Sequence, residues 1–135
     1  MIEQHAMEIR VRYHETDGQG RVHHAQYLNF FERGRVEMMR DSGLSYRELE
    51  EGGLMLVVSK MEIEYFLPAQ FDDLLVLTTE VTRAKGARIH HHYRITREES
   101  LLVRGSSEIA CIDRSGQVRR LPDFLTLPKK RTQPE

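Results

Sequence analysis

The sequence has little of what marks several protein classes. It holds a single cysteine and no tryptophan in 135 residues, so no disulfide can form within the chain. Acidic and basic residues nearly balance at a formal net charge of −1, whereas nucleic-acid-binding domains are normally basic. No apolar run is long enough to span a bilayer, and we therefore expect neither a nucleic-acid partner nor membrane insertion.

Composition also sets expectations for location and size. The first residues lack the basic region and apolar run of a signal peptide, and one cysteine fits a reducing compartment, so we expect a cytoplasmic protein. Residues 1–135 suit a single domain, with 129–135 as a frayed tail. Cys111 lies in an apolar run without a neighbouring base, which favours a buried strand thiol over a nucleophile.

The stretch from residue 13 to residue 27 concentrates groups that can do chemistry. Glu15 and Asp17 lie in a loop whose Gly18 and Gly20 permit a sharp turn. An aspartate held across such a loop can attack a carbonyl carbon directly, or deprotonate a water that does. The simpler alternative is that these residues only form a turn and cap the helix that follows.

A long helix is predicted to begin near Ala25 and to end near Gly43. Its start leaves the backbone N–H groups of His23, His24 and Ala25 without helical partners. The partial positive charge at a helix start favours a developing oxyanion. Preorganised donors of this kind contribute about 3–4 kcal/mol each to acyl transfer.

Strand patterns surround this helix. A half-buried strand over residues 8–13 precedes the loop, and its alternation puts on one side Ile9, Val11 and Tyr13. A short helix at residues 46–51 follows Ser45. Further strands are predicted at residues 54–67, 74–83, 87–97 and 101–113. In the first of these four strands, we expect one face to carry most of the apolar residues, which are Val57, Met61, Ile63 and Tyr65. A curved antiparallel sheet would cover the apolar helix, so we expect an α+β fold.

Several motifs, in the same order, resemble those of hot-dog-fold acyl-CoA thioesterases, in the branch of 4-hydroxybenzoyl-CoA thioesterase and the YbgC-like enzymes. They are Tyr13-His-Glu-Thr-Asp17, Gly20-Arg-Val-His-His24-Ala-Gln-Tyr27, Glu32-Arg-Gly-Arg35, and Glu64-Tyr65-Phe-Leu-Pro68-Ala69 followed by Asp72-Asp73. The resemblance implies a hot-dog fold, a curved antiparallel β-sheet wrapped around one long central α-helix. It also implies hydrolysis of an acyl-CoA thioester to free acid and CoA.

The resemblance assigns roles within the loop. Asp17 would be the catalytic carboxylate, as nucleophile or general base, and His24 would lend its backbone N–H to the thioester oxygen. Where this chain has Glu15 the family usually has Asp, and that residue would shape the loop. The substrate-binding residues we expect are Tyr13, Gly20, Tyr27, Glu32, Lys60, Arg83, Lys85, Gly86 and Arg88. The basic members of this set suit the phosphates of CoA, with ordinary solvated charge as the alternative.

Two further groups carry alternatives. Glu32 is the reserve catalytic residue, and an ion pair with Arg35 is the simpler role for it. His90 and His92 would share one strand face and could hold a metal, but neighbouring arginines on that face repel a cation, so we expect no metal. His91 is expected to point the other way. No redox cofactor is implied.

The expected partners are an acyl-CoA substrate and further copies of the chain. A single sheet leaves an edge exposed, which favours a homodimer or homotetramer. A non-catalytic hot-dog protein that binds acyl-CoA or an acyl carrier is the alternative function, and a hydratase is a third for which we find no motif. The sequence decides neither which acyl group the substrate has nor whether CoA or a carrier protein bears it.

Overall fold

The computed structural model describes residues 2–127, in which one antiparallel sheet packs against one long helix. The strands are β1 (Gln4–Arg10), β2 (Leu54–Tyr65), β3 (Leu74–Lys85), β4 (Arg88–Arg97) and β5 (Ser100–Asp113). Their order in the sheet is β1-β3-β4-β5-β2, so β1 and β2 are its edges. The helices are α1 (Gln26–Asp41) and α2 (Tyr46–Glu51). The predicted α+β arrangement is confirmed.

Helix α1 divides its apolar face between two core clusters. Phe30 and Phe31 are fully buried with the loop and the first halves of β3 and β5, while Met38 and Met39 pack with the far ends of those two strands. The helix approaches β3 so closely at Gly34 that an added Cβ would overlap Thr79 and lie 2.8 Å from a Leu77 methyl carbon. Glycine is therefore required there by the packing.

The first strand differs from its prediction. It spans Gln4–Arg10, and the chain then leaves the sheet through a one-turn 3₁₀ helix at Tyr13–Glu15. Ile9 and Val11 are buried as alternation predicts, but the side chain of Tyr13 is turned out by the 3₁₀ turn and is 78% exposed. The predicted inward position of Tyr13 is therefore wrong.

A β-bulge in β2 overturns a second prediction. Val58 pairs with Ile109 and Lys60 pairs with Glu108, so Ser59 is an extra residue in the strand. The bulge reverses the alternation, because the core-facing residues are Leu54 and Leu56 before it and Met61 and Ile63 after it. Val57 consequently does not share a face with the residues that follow the bulge, and it is 37% exposed.

A buried polar group links α1 to the sheet. Arg35 donates to the Tyr93 hydroxyl at 2.9 Å, and that hydroxyl also bonds Ser107. Glu32 is exposed, and within residues 2–127 the expected ion pair between it and Arg35 does not form. His91 faces the core, as predicted.

Three further expectations concern Cys111, the C-terminal tail and membrane insertion. Cys111 is a buried strand residue, as predicted, and burial raises the pKa of its thiol. The predicted tail at residues 129–135 lies outside the described residues. Neither helix within residues 2–127 has the length and apolar character that crossing a membrane requires.

Candidate functional site

Asp17 is held in a small hairpin. Thr16 and Val22 form an isolated antiparallel bridge, and inside it the Asp17 N–H donates to the Arg21 carbonyl at 2.7 Å. Gly20 turns the chain with a φ of +79°, a conformation that suits glycine. The Asp17 Oδ1 accepts the Gln19 N–H at 2.8 Å and the Arg21 N–H at 3.3 Å. Oδ2 has no hydrogen-bond partner within residues 2–127.

Glu15 ties this hairpin to the helix. Its side chain is buried, and Oε1 accepts the Arg12 N–H at 2.6 Å while Oε2 lies 3.4 Å from the Gln26 side-chain amide. Its backbone carbonyl accepts the N–H of His23 at 3.0 Å. Both oxygens are thus engaged in holding the loop against the start of α1.

The start of α1 keeps fewer free donors than predicted. The His23 N–H is taken by Glu15, and the Ala25 N–H donates to His23 Nδ1 at 3.1 Å. The prediction that three N–H groups would be unpaired is therefore wrong for those two. In the described part of the chain the His24 N–H is the donor of the three that has no partner.

Tyr65 makes a contact that the sequence did not predict. Its hydroxyl donates to the His24 backbone carbonyl at 2.9 Å, across 41 residues of sequence. Its ring meets the ring of Tyr27 at a centroid distance of 5.6 Å, and Tyr27 is buried. Burial raises the pKa of both phenols, so both stay protonated near neutral pH.

Three of the expected substrate-binding residues lie in different settings, two of them near the loop. Tyr13 lies on the surface, where its ring meets that of Phe71 edge-on at a centroid distance of 5.6 Å. Tyr27 is buried in the core cluster beneath the loop. Glu32 lies on the exposed face of α1, further along the helix from His24.

The basic residues expected to meet CoA lie elsewhere. Arg83, Lys85 and Gly86 line a cavity of about 670 Å³ at the β3–β4 turn, which Glu3, Arg120 and Asp123 also line. Arg88 is 4.0 Å from Glu108, and Lys60 is 3.3 Å from Glu62. The β3 strand begins beside the Asp17 loop, and Lys85 lies about 36 Å further along it at about 3.3 Å per residue.

The histidine run of β4 separates as predicted. His90 and His92 lie on the face opposite the core, where the Nε2 of His90 is 3.9 Å from Glu108. Within residues 2–127 no group of three or more histidine, cysteine or carboxylate side chains converges as a metal site would require.

The fold is the hot-dog fold, which the chain shares with solved structures of thioesterases. The model of the Thioesterase-like superfamily matches residues 11–127. This chain belongs to that superfamily, which confirms the prediction of a thioester hydrolase at the level of the family.

Relatives support the YbgC-like branch. The chain is similar to the acyl-CoA thioesterase YbgC of Haemophilus influenzae, with 42% identity over 106 residues that cover 78% of each protein. The acyl-CoA thioester hydrolase YbgC of Escherichia coli is 38% identical over 106 residues, covering 78% of this chain and 79% of that protein. The crystal structure of a probable thioesterase from Bartonella henselae superposes with a TM-score of 0.84 at 45% identity, over 88% of this chain and 99% of that one.

Proposed function

We propose that this protein hydrolyses acyl-CoA thioesters to a free acid and CoA, with Asp17 and the His24 N–H as its reacting groups. The observation that carries the proposal is the pair of unpaired groups at the loop. Within residues 2–127, one oxygen of Asp17 and the N–H of His24 have no partners, although the groups around them do. Membership of the Thioesterase-like superfamily supplies the reaction class.

The chemistry requires only these two groups. A carboxylate oxygen of Asp17 attacks the thioester carbon, or takes a proton from a water that attacks it. The carbonyl oxygen becomes an oxyanion that the His24 N–H stabilises, the C–S bond breaks, and CoA leaves as a thiolate. In the first route, water then hydrolyses the acyl anhydride and restores Asp17.

Glu15 is proposed to hold the loop and not to react. Both of its carboxylate oxygens lie against donors of the loop and helix, whereas Asp17 keeps one oxygen free within the described residues. Glu32 stays the reserve catalytic residue, because it is exposed on α1 and lacks an ion pair within residues 2–127. Its place beyond the helix start favours a substrate contact.

The expected CoA contacts require a second copy of the chain. A single subunit places Arg83, Lys85 and Arg88 at the opposite ends of the strands from its own Asp17. We therefore propose a homodimer or homotetramer in which these residues serve the loop of another subunit. The β2 edge is the face we propose for pairing, because Val57 and Val58 are exposed along it.

The test is a thiol-release assay over short, long and aromatic acyl-CoAs, and over the same acyl groups on a carrier protein. The wild type should release thiol from at least one substrate, and Asp17→Asn should not. If the wild type binds acyl-CoA without releasing thiol, the protein is the non-catalytic binder and the proposal is wrong. If Glu32→Gln abolishes turnover while Asp17→Asn retains it, the role passes to Glu32.

The substrate panel also settles the acyl group, which the geometry leaves open. A cytoplasmic location stays a prediction, for which a fractionation of cells that express the chain is the direct measurement.

A further inference from the structure

The end of β2 reaches the start of α1 through one side chain. Tyr65 follows Met61 and Ile63 by simple alternation after the Ser59 bulge, and it lies on the same face as those two residues, which pack on the core. Its hydroxyl donates to the His24 carbonyl at 2.9 Å, and its ring packs against that of Tyr27. Half of the side chain is exposed, at 49%.

This hydrogen bond completes a set that fixes both peptide groups of His24. On one side, the His23 carbonyl accepts the Gln26 N–H at 2.9 Å. The His24 N–H belongs to the same peptide, and in a trans peptide it points in the opposite direction, away from the helix. On the other side, the Ala25 N–H donates to His23 Nδ1, and Tyr65 holds the His24 carbonyl.

The consequence is a donor whose direction is set from both sides. The backbone of His24 can rotate only if one of these two peptides gives up its hydrogen bonds. Two of these three bonds come from within four residues of the helix start, whereas Tyr65 comes from the sheet. Tyr65 is therefore the contact that ties the donor to the rigid part of the fold.

We propose that Tyr65 is a positioning residue for the thioesterase reaction. Its hydroxyl holds the backbone carbonyl of His24, which fixes the backbone so that the N–H of His24 points at the oxyanion. This inference rests on the function proposed above, because it concerns the donor assigned there. Tyr65 does not touch the reacting atoms in this role. Its effect belongs to the transition state, in which the oxyanion forms, and not to binding of the substrate.

The test removes one oxygen atom with Tyr65→Phe and compares it with Tyr46→Phe. Tyr46 is a matched control because it packs in the other core cluster, beside Arg35. With the acyl-CoA that the wild type hydrolyses best, Tyr65→Phe should lower kcat about tenfold and leave KM within about twofold. Tyr46→Phe should change neither. An unchanged kcat in Tyr65→Phe overturns the inference, as does an equal loss in both variants.

A spectroscopic readout separates positioning from a general loss of structure. In an Asp17→Asn background, the same acyl-CoA labelled with ¹³C at the thioester carbonyl reports polarisation through its infrared stretch. The shift to lower frequency on binding should shrink when Tyr65→Phe is added and should stay when Tyr46→Phe is added. An equal shift in both double variants would contradict positioning by Tyr65.

The two proposals fail in different ways. If Asp17→Asn hydrolyses as the wild type does, the proposed function is wrong whatever Tyr65 does. If Asp17→Asn is inactive and Tyr65→Phe is fully active, the proposed function stands and only the positioning role is lost.

Discussion

The two ends of the sheet differ in the polar groups and in the cavity volume that they present to a ligand. At the loop end, Asp17 and His24 each present an unpaired group within the described residues, yet they line none of four clefts that range from about 120 to about 670 Å³. At the opposite end, the β3–β4 turn borders the largest of the four, with Arg83 and Lys85 in its wall. One end carries reactive groups and the other carries volume and positive charge.

This difference is the reason that we do not expect a single subunit to bind and hydrolyse an acyl-CoA by itself. Under the proposed function, an acyl-CoA places its thioester at the first end and its phosphates at the second. With about 36 Å of strand between them, we propose that the two ends that meet one ligand come from different copies of the chain. The predictions below act on one end at a time, so that each can contradict this division.

The largest effect is expected at the loop end, from Asp17→Asn. The amide can neither attack the thioester nor accept a proton from water, so kcat should fall by about 10³-fold or more. CoA binding, measured by calorimetry, should stay within about twofold because the proposed phosphate contacts lie elsewhere. The control is Asp41→Asn at the other end of α1, where the carboxylate pairs with His5, 2.8 Å away. Equal activity in the two variants would exclude Asp17 as the catalytic residue.

A smaller effect of a different kind is expected at the basic end, from Lys85→Glu. Reversing the charge should raise KM for the best acyl-CoA about tenfold and leave kcat nearly unchanged, because the proposed role of the residue is to meet the phosphates and not the thioester. The rise should shrink as ionic strength increases. Arg47→Glu on α2 is the matched reversal, since Arg47 is exposed and pairs only with Glu51 within the described residues. A KM that rises equally in both would mean general charge repulsion.

Between the two ends, the buried His91 should make stability depend on pH. Burial, with added repulsion from Arg35 and His90, lowers the pKa of His91 to about 3 from an ordinary 6.5. Below pH 6.5, His91 therefore takes up a proton in the unfolded chain, whereas in the folded chain it stays neutral down to about pH 3. The free energy of unfolding should fall by about 1 kcal/mol from pH 6.5 to 5.5. Urea titrations measure this fall, and His91→Leu should remove that contribution.

The smallest effect is expected from Glu15→Asp, which restores the residue usual in similar enzymes. The shorter carboxylate keeps its charge beside the Arg12 N–H, so kcat should stay within about threefold of the wild type. Glu15→Ala instead leaves that N–H unpaired and should lower the free energy of unfolding by about 1–2 kcal/mol. Equal stability of the two variants would mean that the carboxylate does not hold the loop.

Local patterns predicted most of the fold because local rules decide those segments. Ser45 caps α2 by accepting the Glu48 N–H at 3.2 Å, and the helix spans the predicted residues. Alternation placed His91 on the core side among apolar residues of β4. Both features depend on neighbours within a few positions, which a sequence displays directly.

The site was harder to predict because distant residues decide it. Nothing in the residues around Ser59 marks it as a bulge, so the facing of Val57 was predicted wrongly, and the bond from Tyr65 to His24 was missed. Helix rules count free N–H groups from the helix alone, and they missed that the Glu15 carbonyl takes one and the His23 ring another. Both errors concern contacts that only the assembled loop creates.

The extra residue in β2 makes one continuous strand behave as two modules. On one side of Ser59 the strand contributes Leu54 and Leu56 to the cluster at the far end of α1, and on the other it contributes Met61 and Ile63 to the cluster beneath the loop. Each half of the strand therefore packs against a different part of α1. We expect truncation of Leu54 or Leu56 to loosen the far end of the helix and to leave its start in place.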